Sequence, residues 1–276
     1  VFRWINQYLI IPVVTFLSGF LSNWGIIILL MTLFIKMLLW PFTYKSYMSQ
    51  AKMRVLRPQI EAINAKYPGK EQDQMMKRQT ETMNLYRSAG ASPMSGCLPM
   101  LLQMPFLIAL YMYFPTSILL RGQGFLWADD LSTYDAVISW NANIPLISSF
   151  LGNHLSLFCV LMTVTNIFYT RYTMNQSPSG EGMAGMKTMP YIMAIMFFFM
   201  FNQNASGLSY YYFVSTLITI LQYFAFRWTL NEDKLLRQLE ENKKKPRKKS
   251  KWMQRLEEAQ RLQQEQQRKA QKQGKR

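Results

Sequence analysis

The chain has 276 residues and a formal net charge of +16, and half of its residues are hydrophobic. Its mean hydropathy of −0.04 is unremarkable only because strongly apolar blocks alternate with strongly basic ones. No hydrophilic stretch is both long enough and apolar enough to build a sizeable soluble core. These features exclude a soluble globular domain and predict an all-α, polytopic membrane protein.

The N-terminal segment 1–21 is apolar but interrupted by polar residues, and its Trp and Tyr residues suit a membrane interface. We predict an amphipathic helix that lies in the interface on the extracytoplasmic side rather than an additional span. The chain starts with Val1 and shows neither a basic n-region nor a small-residue cleavage site. We therefore expect it to be a fragment or a processed product of a longer protein.

Five apolar runs of a length near that needed to cross a bilayer, about 20 residues, predict five transmembrane helices. They cover 22–43, 97–118, 154–173, 188–203 and 207–227. The last two runs are separated by the polar sequence Asn202–Gly207 and are interpreted as a helical hairpin.

Charge placement predicts the orientation of these spans. Residues 45–95 carry nine Lys and Arg against four acids, and the tail 228–276 carries 16 against seven, whereas 119–153 carries one Arg against three Asp. By the positive-inside rule, segment 44–95, the short loop 174–187 and the tail are cytoplasmic. The N-terminus and the loop 119–153 then lie outside, which places the C-terminus in the cytoplasm.

Segment 44–95 has the apolar spacing of two helices joined by a Pro68-Gly69 turn. The first apolar stripe consists of Met53, Leu56, Ile60, Ile63 and Tyr67, and the second runs through Met76, Gln79, Met83 and Tyr86. This pattern predicts a cytoplasmic helical hairpin rather than a simple connector.

The tail 228–276 contains a run of nine residues of which seven are basic. These seven are Lys243, Lys244, Lys245, Arg247, Lys248, Lys249 and Lys251. Few apolar residues follow, so the tail is predicted to be disordered or a solvated helix. We predict that it binds a large polyanion, namely ribosomal RNA, although a simple topology anchor is the alternative.

Lys36 stands alone inside the apolar run 24–40. A charge at such a position costs about 2.5–3.5 kcal/mol on insertion scales, so it normally faces water, a partner or a substrate. The alternative is a lysine whose ammonium extends to the nearest interface. Thr32 lies four residues earlier and therefore on the same helix face.

Motifs for catalysis and for metal or cofactor binding are missing from the sequence. Cys97 and Cys159 have no metal-ligand spacing, the single histidine His154 has no partner motif, and no phosphate-binding glycine loop or nucleophile motif occurs. No particular serine pairs with Lys36 in a Ser–Lys dyad. We predict a protein that is not an enzyme and that needs no cofactor or metal.

Four spaced motifs resemble the signature of the YidC/Oxa/Alb family of membrane protein insertases, in the family's order over about residues 20–230. They are Leu85-Tyr86-Arg87 with Pro93–Phe106, then Phe125–Leu131, then Met189-Pro190 with Phe197–Phe199, and finally Ser206-Gly207-Leu208 with Tyr211–Ser215. The similarity is greatest to the bacterial branch of the family.

The resemblance implies a five-helix core around a hydrophilic groove that is open to the cytoplasm and to lipid. Lys36 falls where most members carry an arginine, and Thr32, Gln103 and Tyr212 fall at groove-lining or substrate-contacting positions. Lysine keeps the positive charge there but lacks the planar donor array of arginine. Asn204-Ala205 replaces a usual Phe-Pro pair, and Thr216 replaces a common Asn.

By this resemblance, the protein inserts and helps to fold nascent membrane proteins in the lipid bilayer of the bacterial inner membrane, alone or beside the Sec translocon. An alternative is a small-solute transporter or channel with Lys36 as its anion site, although no internal repeat supports it. A second alternative is a passive ribosome tether, which would tolerate neutralisation of Lys36.

Overall fold

The computed structural model describes residues 2–69, 72–91, 98–141, 152–176 and 184–244. These residues are predominantly helical. The helices are α1 (Phe2–Ile5), α2 (Ile11–Ser18), α3 (Trp24–Val55), α4 (Arg57–Lys66), α5 (Gln72–Ala89), α6 (Leu98–Thr116), α7 (Leu157–Gln176), α8 (Ala184–Asn202), α9 (Ser206–Thr229) and α10 (Glu232–Lys244). A π-helical turn, Asn6–Ile10, joins α1 to α2, and a 3-10 turn, Ile118–Leu120, follows α6. Strands β1 (Ile138–Ser139) and β2 (His154–Leu155) pair antiparallel.

Among the described helices, α3 is long and apolar enough by itself to cross a membrane. A second candidate arises if α9 and the following Glu232–Glu241, which are bent by 74° relative to each other, are taken as one span. Leu101–Thr116 and Thr188–Asn202 are apolar but shorter. The number of spans therefore stays a prediction, while each predicted span is largely helical in its described residues.

Helix α3 continues well beyond the predicted span 22–43 and ends only at Val55. Pro41 lies inside it, although proline cannot donate the backbone hydrogen bond of a helix interior. The first part of the predicted hairpin 44–95 thus belongs to the same helix as Lys36. Helices α4 and α5 follow and pack against each other.

The connection between α4 and α5 is closed by polar contacts. The ammonium of Lys66 lies 2.9 Å from a carboxylate oxygen of Glu81, and the Tyr67 hydroxyl donates to the same oxygen at 2.6 Å. The hydrogen bond from Tyr67 has the larger effect and that from Lys66 the smaller, and together they hold the pKa of Glu81 below its ordinary value. Beside them, the backbone N–H of Gly69 donates to the side-chain oxygen of Gln74 at 2.8 Å.

The main apolar core is formed by the long helices. Helix α9 packs against both α7 and α3, α7 packs against α8, and α3 contacts α6. The N-terminal helices lie on this bundle, where Ile10 and Val14 are buried and Asn6 donates to the carbonyl oxygen of Ala109 at 2.9 Å. The segment predicted to lie in the interface is therefore also packed against the protein.

A second apolar cluster lies at the opposite end of α3 and α9. It contains Tyr47, Ala51, Met53, Leu56, Ile60, Tyr86, Ala89, Ala91, Tyr223, Phe226, Leu235 and Leu239. Helix α10 contributes Leu235 and Leu239, and Arg54 binds Glu232 at 2.6 Å. The start of the tail is thus a docked helix, which differs from the disordered or solvated segment predicted for it.

The docking has a simple physical reason, because Leu235 and Leu239 are four residues apart and share one helix face. Of the predicted basic cluster, Lys245, Arg247, Lys248, Lys249 and Lys251 lie outside the described residues. Lys243 and Lys244 form the end of α10, and their side chains are likewise outside the described part.

The start of α7 is fixed by polar side chains. Ser156 accepts a hydrogen bond from the backbone N–H of Cys159 at 3.1 Å and so caps the helix. Asp135 accepts from the N–H groups of Leu157 and Phe158 at 2.9 and 3.2 Å, and also from the hydroxyl of Ser156. The helix consequently begins three residues later than the predicted span 154–173, since His154 belongs to β2.

Two of the sequence motifs meet where the loop after α6 contacts the start of α9. Gly207 donates from its N–H to the carbonyl oxygen of Leu131 at 3.0 Å, and the Ser206 hydroxyl donates to that of Asp130 at 3.0 Å. A Cβ at Gly207 would lie 2.9 Å from the Leu131 oxygen and 3.0 Å from the ring of Phe114. Only glycine permits so close an approach of the two backbones.

We expect Gly207→Ala to destabilise the protein, because the added methyl group must displace backbone at Leu131. Overpacking of this kind costs about 1–3 kcal/mol, which corresponds to a fall of about 2–10 °C in the unfolding midpoint. Thermal unfolding in detergent micelles measures it. Gly19→Ala is the matched control, since a Cβ at Gly19 would lie 3.4 Å from its nearest neighbour, the carbonyl oxygen of Phe16. Equal midpoints for the two variants would contradict this account of the junction.

Candidate functional site

Lys36 lies in the middle of α3 and is only 6% exposed. Its ammonium stays within the helical bundle. Nζ donates to the side-chain oxygen of Gln103 on α6 at 3.1 Å and to the hydroxyl oxygen of Thr219 on α9 at 2.8 Å. Three helices therefore meet at this one charged group.

The two acceptors of Lys36 are themselves held by Ser215, one turn before Thr219 on α9. The Gln103 side-chain nitrogen donates to the Ser215 hydroxyl oxygen at 3.0 Å. The Thr219 hydroxyl donates to the backbone carbonyl oxygen of Ser215 at 2.8 Å. The charge and its neighbours form a connected network of four hydrogen bonds, and both acceptors of Lys36 are neutral groups.

The network lines a cavity of about 320 Å³. Its polar walls come from α3, α6, α7 and α9, and its apolar walls come largely from α6 and α8. The polar lining residues are Lys36, Thr43, Gln103, Asn166, Tyr169, Thr170, Tyr212, Ser215, Thr216, Thr219 and Tyr223. The apolar lining residues are Leu39, Phe42, Leu102, Met104, Leu107, Met189, Pro190, Met193, Ala194 and Phe197.

A second cavity lies on the other side of Lys36, between α3 and α9. Its lining is mainly apolar and includes Met37, Trp40 and Leu221, which are 72%, 44% and 67% exposed. Lys36 lines both cavities. The charged residue thus lies between a cavity that contains its polar network and an apolar outer surface.

No carboxylate neutralises Lys36 in the part of the chain that the structure describes. The ion pairs found there are Arg54–Glu232, Arg57–Glu61 and Lys66–Glu81, all outside the cavity. A buried cation that is satisfied only by neutral oxygens retains a strong attraction for an anionic group. The site is therefore suited to binding a carboxylate or another acceptor that enters the cavity.

The structure brings together three of the four residues predicted to form the groove. Lys36, Gln103 and Tyr212 line the same cavity. Thr32 does not line it, because it is fully buried and its hydroxyl donates to the carbonyl oxygen of Ile28 at 2.7 Å. Sharing a helix face with Lys36 is not sufficient, since Thr32 lies one turn deeper in the apolar core.

Apart from Tyr212, the polar lining residues on α7 and α9 were not predicted from the sequence. Ser215, Thr216 and Thr219 follow Tyr212 at intervals of three and four, and Asn166 and Thr170 are four apart. A stripe of hydroxyl and amide side chains at helical spacing inside an apolar helix is the signal that identifies them. The prediction of the site relied instead on Lys36, the single charge in the apolar part of α3.

The groups that line this cavity are suited to binding polar segments. Among residues 2–69, 72–91, 98–141, 152–176 and 184–244, no three His, Cys, Asp or Glu side chains cluster so as to hold a metal ion. The lining offers an ammonium, hydroxyl groups, amides and aromatic rings. These groups recognise polar chain segments by hydrogen bonding and charge.

Comparisons with known proteins agree with this architecture. Residues 16–233 match the model of a family described as the 60Kd inner membrane protein. A membrane protein insertase YidC of Porphyromonas gingivalis is 67% identical over 273 residues, which cover 99% of this chain and 44% of that protein. A YidC insertase of Parabacteroides distasonis is 65% identical, with 98% of this chain and 43% of that protein covered.

Among solved structures, the chain resembles the crystal structure of an active YidC insertase with its first transmembrane domain resolved. The TM-score is 0.54 at 30% identity, and the match covers 80% of this chain and 47% of the other. The chain spans less than half the length of the curated relatives described above. By the family match and these identities, the chain belongs to the YidC family of 60 kDa inner membrane proteins.

Proposed function

We propose that this chain is the membrane-embedded unit of an insertase, which moves polar segments of nascent membrane proteins partway into the bilayer. The observation that carries the proposal is the buried Lys36 ammonium, which lines a cavity together with other polar groups and has only neutral hydrogen-bond partners among the described residues. Membership of the YidC family supports the same function.

In the proposed mechanism, the polar extracytoplasmic tail of a substrate enters the cavity while its apolar segment stays in lipid. An acidic side chain in the tail is drawn to Lys36, and hydroxyl and amide groups solvate the rest of the tail. The cavity thereby lowers the cost of bringing polar groups into a low-dielectric region. The apolar surface that includes Met37 and Leu221 adjoins the same lysine.

The driving force in this mechanism is the transfer of the substrate's apolar segment into lipid. Burial of apolar surface contributes about 25 cal/mol for each Å², so a segment of about 20 residues supplies a large favourable term. Release of the tail on the far side completes insertion. Because no bond is made or broken, the mechanism uses no cofactor and no nucleotide.

We further propose five spans in the bacterial inner membrane, with the N-terminus outside and the C-terminus in the cytoplasm. The excess of Lys and Arg in 45–95 and 228–276 supports this orientation. Ribosomes are the proposed partner of the basic tail, and the Sec translocon is a proposed partner for part of the substrates. The docking of helix α10 is consistent with ribosome binding by the tail, since α10 is packed against the second apolar cluster and ends at Lys244, within the basic cluster.

The charge of Lys36 provides the first test. We expect Lys36→Glu to reduce insertion of a substrate with an acidic translocated tail by about tenfold or more, which corresponds to about 1.4 kcal/mol of lost stabilisation. Lys36→Arg should retain most activity because it keeps the charge. Insertion into proteoliposomes, scored by protection of the tail from protease, measures both.

The matched control for this test is Lys45→Glu, which changes an exposed lysine of the same helix nine residues away. It should insert the acidic-tailed substrate as the unmodified chain does. Full activity of Lys36→Glu on this substrate would show that the buried charge has no part in insertion.

The tail provides the second test. Truncation after Lys244 removes most of the basic cluster but keeps helix α10, whose Leu235 and Leu239 are buried. We expect the truncated protein to lose co-sedimentation with ribosomes. We also expect binding by the full chain to fall steeply between 50 and 200 mM salt, since neutralising RNA phosphates releases counterions.

A variant with each lysine of the cluster replaced by arginine and the arginine replaced by lysine keeps the charge and should bind ribosomes normally. If the truncated protein co-sediments as well as the full chain at low salt, the tail is a topology anchor and ribosomes bind elsewhere.

A further inference from the structure

Ser215 connects both neutral groups that hold Lys36, and this position suggests a specific role. We propose that Ser215 is a positioning residue, which fixes Gln103 and Thr219 as acceptors so that the third N–H of Lys36 points to substrate. The proposal rests on the insertase function above and assigns a role within that site to a residue that never touches the lysine.

The first part of the argument concerns Thr219. Its hydroxyl proton is used in a 2.8 Å hydrogen bond to the backbone carbonyl oxygen of Ser215. The oxygen of the same hydroxyl therefore faces Lys36 as an acceptor, at 2.8 Å from Nζ. Because Ser215 acts here through its backbone, side-chain substitutions at 215 leave this contact in place.

The second part concerns the side-chain amide of Gln103. An amide has an oxygen end that accepts and a nitrogen end that donates, and the two ends have nearly the same shape. The Ser215 hydroxyl oxygen accepts from the nitrogen end at 3.0 Å and holds the amide in place, while the oxygen end accepts from Lys36 at 3.1 Å. A reversed amide would present N–H groups to an ammonium, which is repulsive.

The third part concerns the donors of the ammonium. A lysine has three N–H donors, and Gln103 and Thr219 occupy two of them. In the described part of the chain, no third acceptor contacts Lys36, and the residue lines the cavity. Lys36 also lines the apolar cavity, and in this proposal its remaining donor faces the cavity with the polar network, where it binds one oxygen of a carboxylate at a time.

Ser215→Ala removes the hydroxyl that accepts from Gln103 and keeps the backbone carbonyl that accepts from Thr219. It therefore releases the Gln103 amide and leaves Thr219 in place. The test uses two substrates that are identical except for one position of the translocated tail, which is Asp in one and Asn in the other. The readout is the insertion rate of the Asp substrate divided by that of the Asn substrate in proteoliposomes. We expect Ser215→Ala to lower this Asp/Asn ratio by between about twofold and tenfold, the range for loss of one hydrogen bond. In a Gln103→Leu background, Ser215→Ala should cause no further change.

Ser209→Ala is the matched control, because Ser209 is also fully buried in α9 and its hydroxyl has no hydrogen-bond partner among the described residues. It should leave the ratio unchanged. If the effects of Ser215→Ala and Gln103→Leu instead multiply in the double variant, Ser215 acts independently of Gln103 and the positioning role is wrong.

A second measurement follows the amide directly and does not depend on insertion. The side-chain NH₂ signal of Gln103, assigned by its loss in Gln103→Leu, should shift and exchange faster with water in Ser215→Ala than in Ser209→Ala. An unchanged signal overturns the positioning role whatever the insertion rates. If the unmodified protein shows no Asp/Asn preference, the proposed insertase mechanism fails, while the Gln103 signal still decides the role of Ser215.

Discussion

A buried ammonium among neutral oxygens places a demand on every helix that surrounds it. Lys36 is satisfied by Gln103 and Thr219, which belong to two other helices, and each hydrogen bond tolerates little displacement. If either helix shifted, a cation would be left without acceptors in an apolar bundle, at a cost of several kcal/mol. The relative positions of α3, α6 and α9 must therefore be fixed from both ends.

Both ends have the required constraints. At one end, the loop after α6 is bound to the start of α9 through Ser206 and Gly207, and Asp135 caps α7. At the other end, α3 and α9 extend past the cavity into the second apolar cluster. Tyr223 belongs to that cluster and also lines the cavity, and its hydroxyl accepts from Gln50 at 2.8 Å. Tyr223, which bounds the cavity, thus belongs to the same apolar cluster as residues of the hairpin and of helix α10.

How far the sequence predicts this arrangement depends on the physical signal of each part. A lone lysine in an apolar run is a strong signal, because charge is rare and costly there, and the structure shows Lys36 in a polar network. The inner faces of α7 and α9 give a weaker signal, since their hydroxyl and amide side chains carry no charge and lipid and protein core are both apolar. Ser215 and Thr219 were missed for this reason.

Other differences arise from contacts between segments that are distant in sequence. Docking of α10 depends on Leu235 and Leu239, which are surrounded by charged residues in the sequence. The average composition of the tail is therefore polar and gives no indication of their apolar face. The reach of α3 to Val55 was missed because the apolar run ends near Pro41, whereas the helix continues on contacts with the second cluster. Thr32 lies beside Lys36 in the sequence pattern, yet its depth in the core is set by neighbours from other helices.

The central claim is that the cavity receives the polar tail of a substrate, and neighbouring residues on α8 allow a direct measurement. Met193 lines the cavity, whereas Ile192 is 62% exposed and does not. A photo-crosslinking amino acid at each position is tested against a ribosome-arrested nascent chain with an acidic tail, and the crosslinked tail residues are mapped by mass spectrometry. We expect the tail to crosslink to position 193, not to position 192, and to lose this crosslink in Lys36→Glu. Equal crosslinking of the tail to both positions, or none to position 193, would contradict the account.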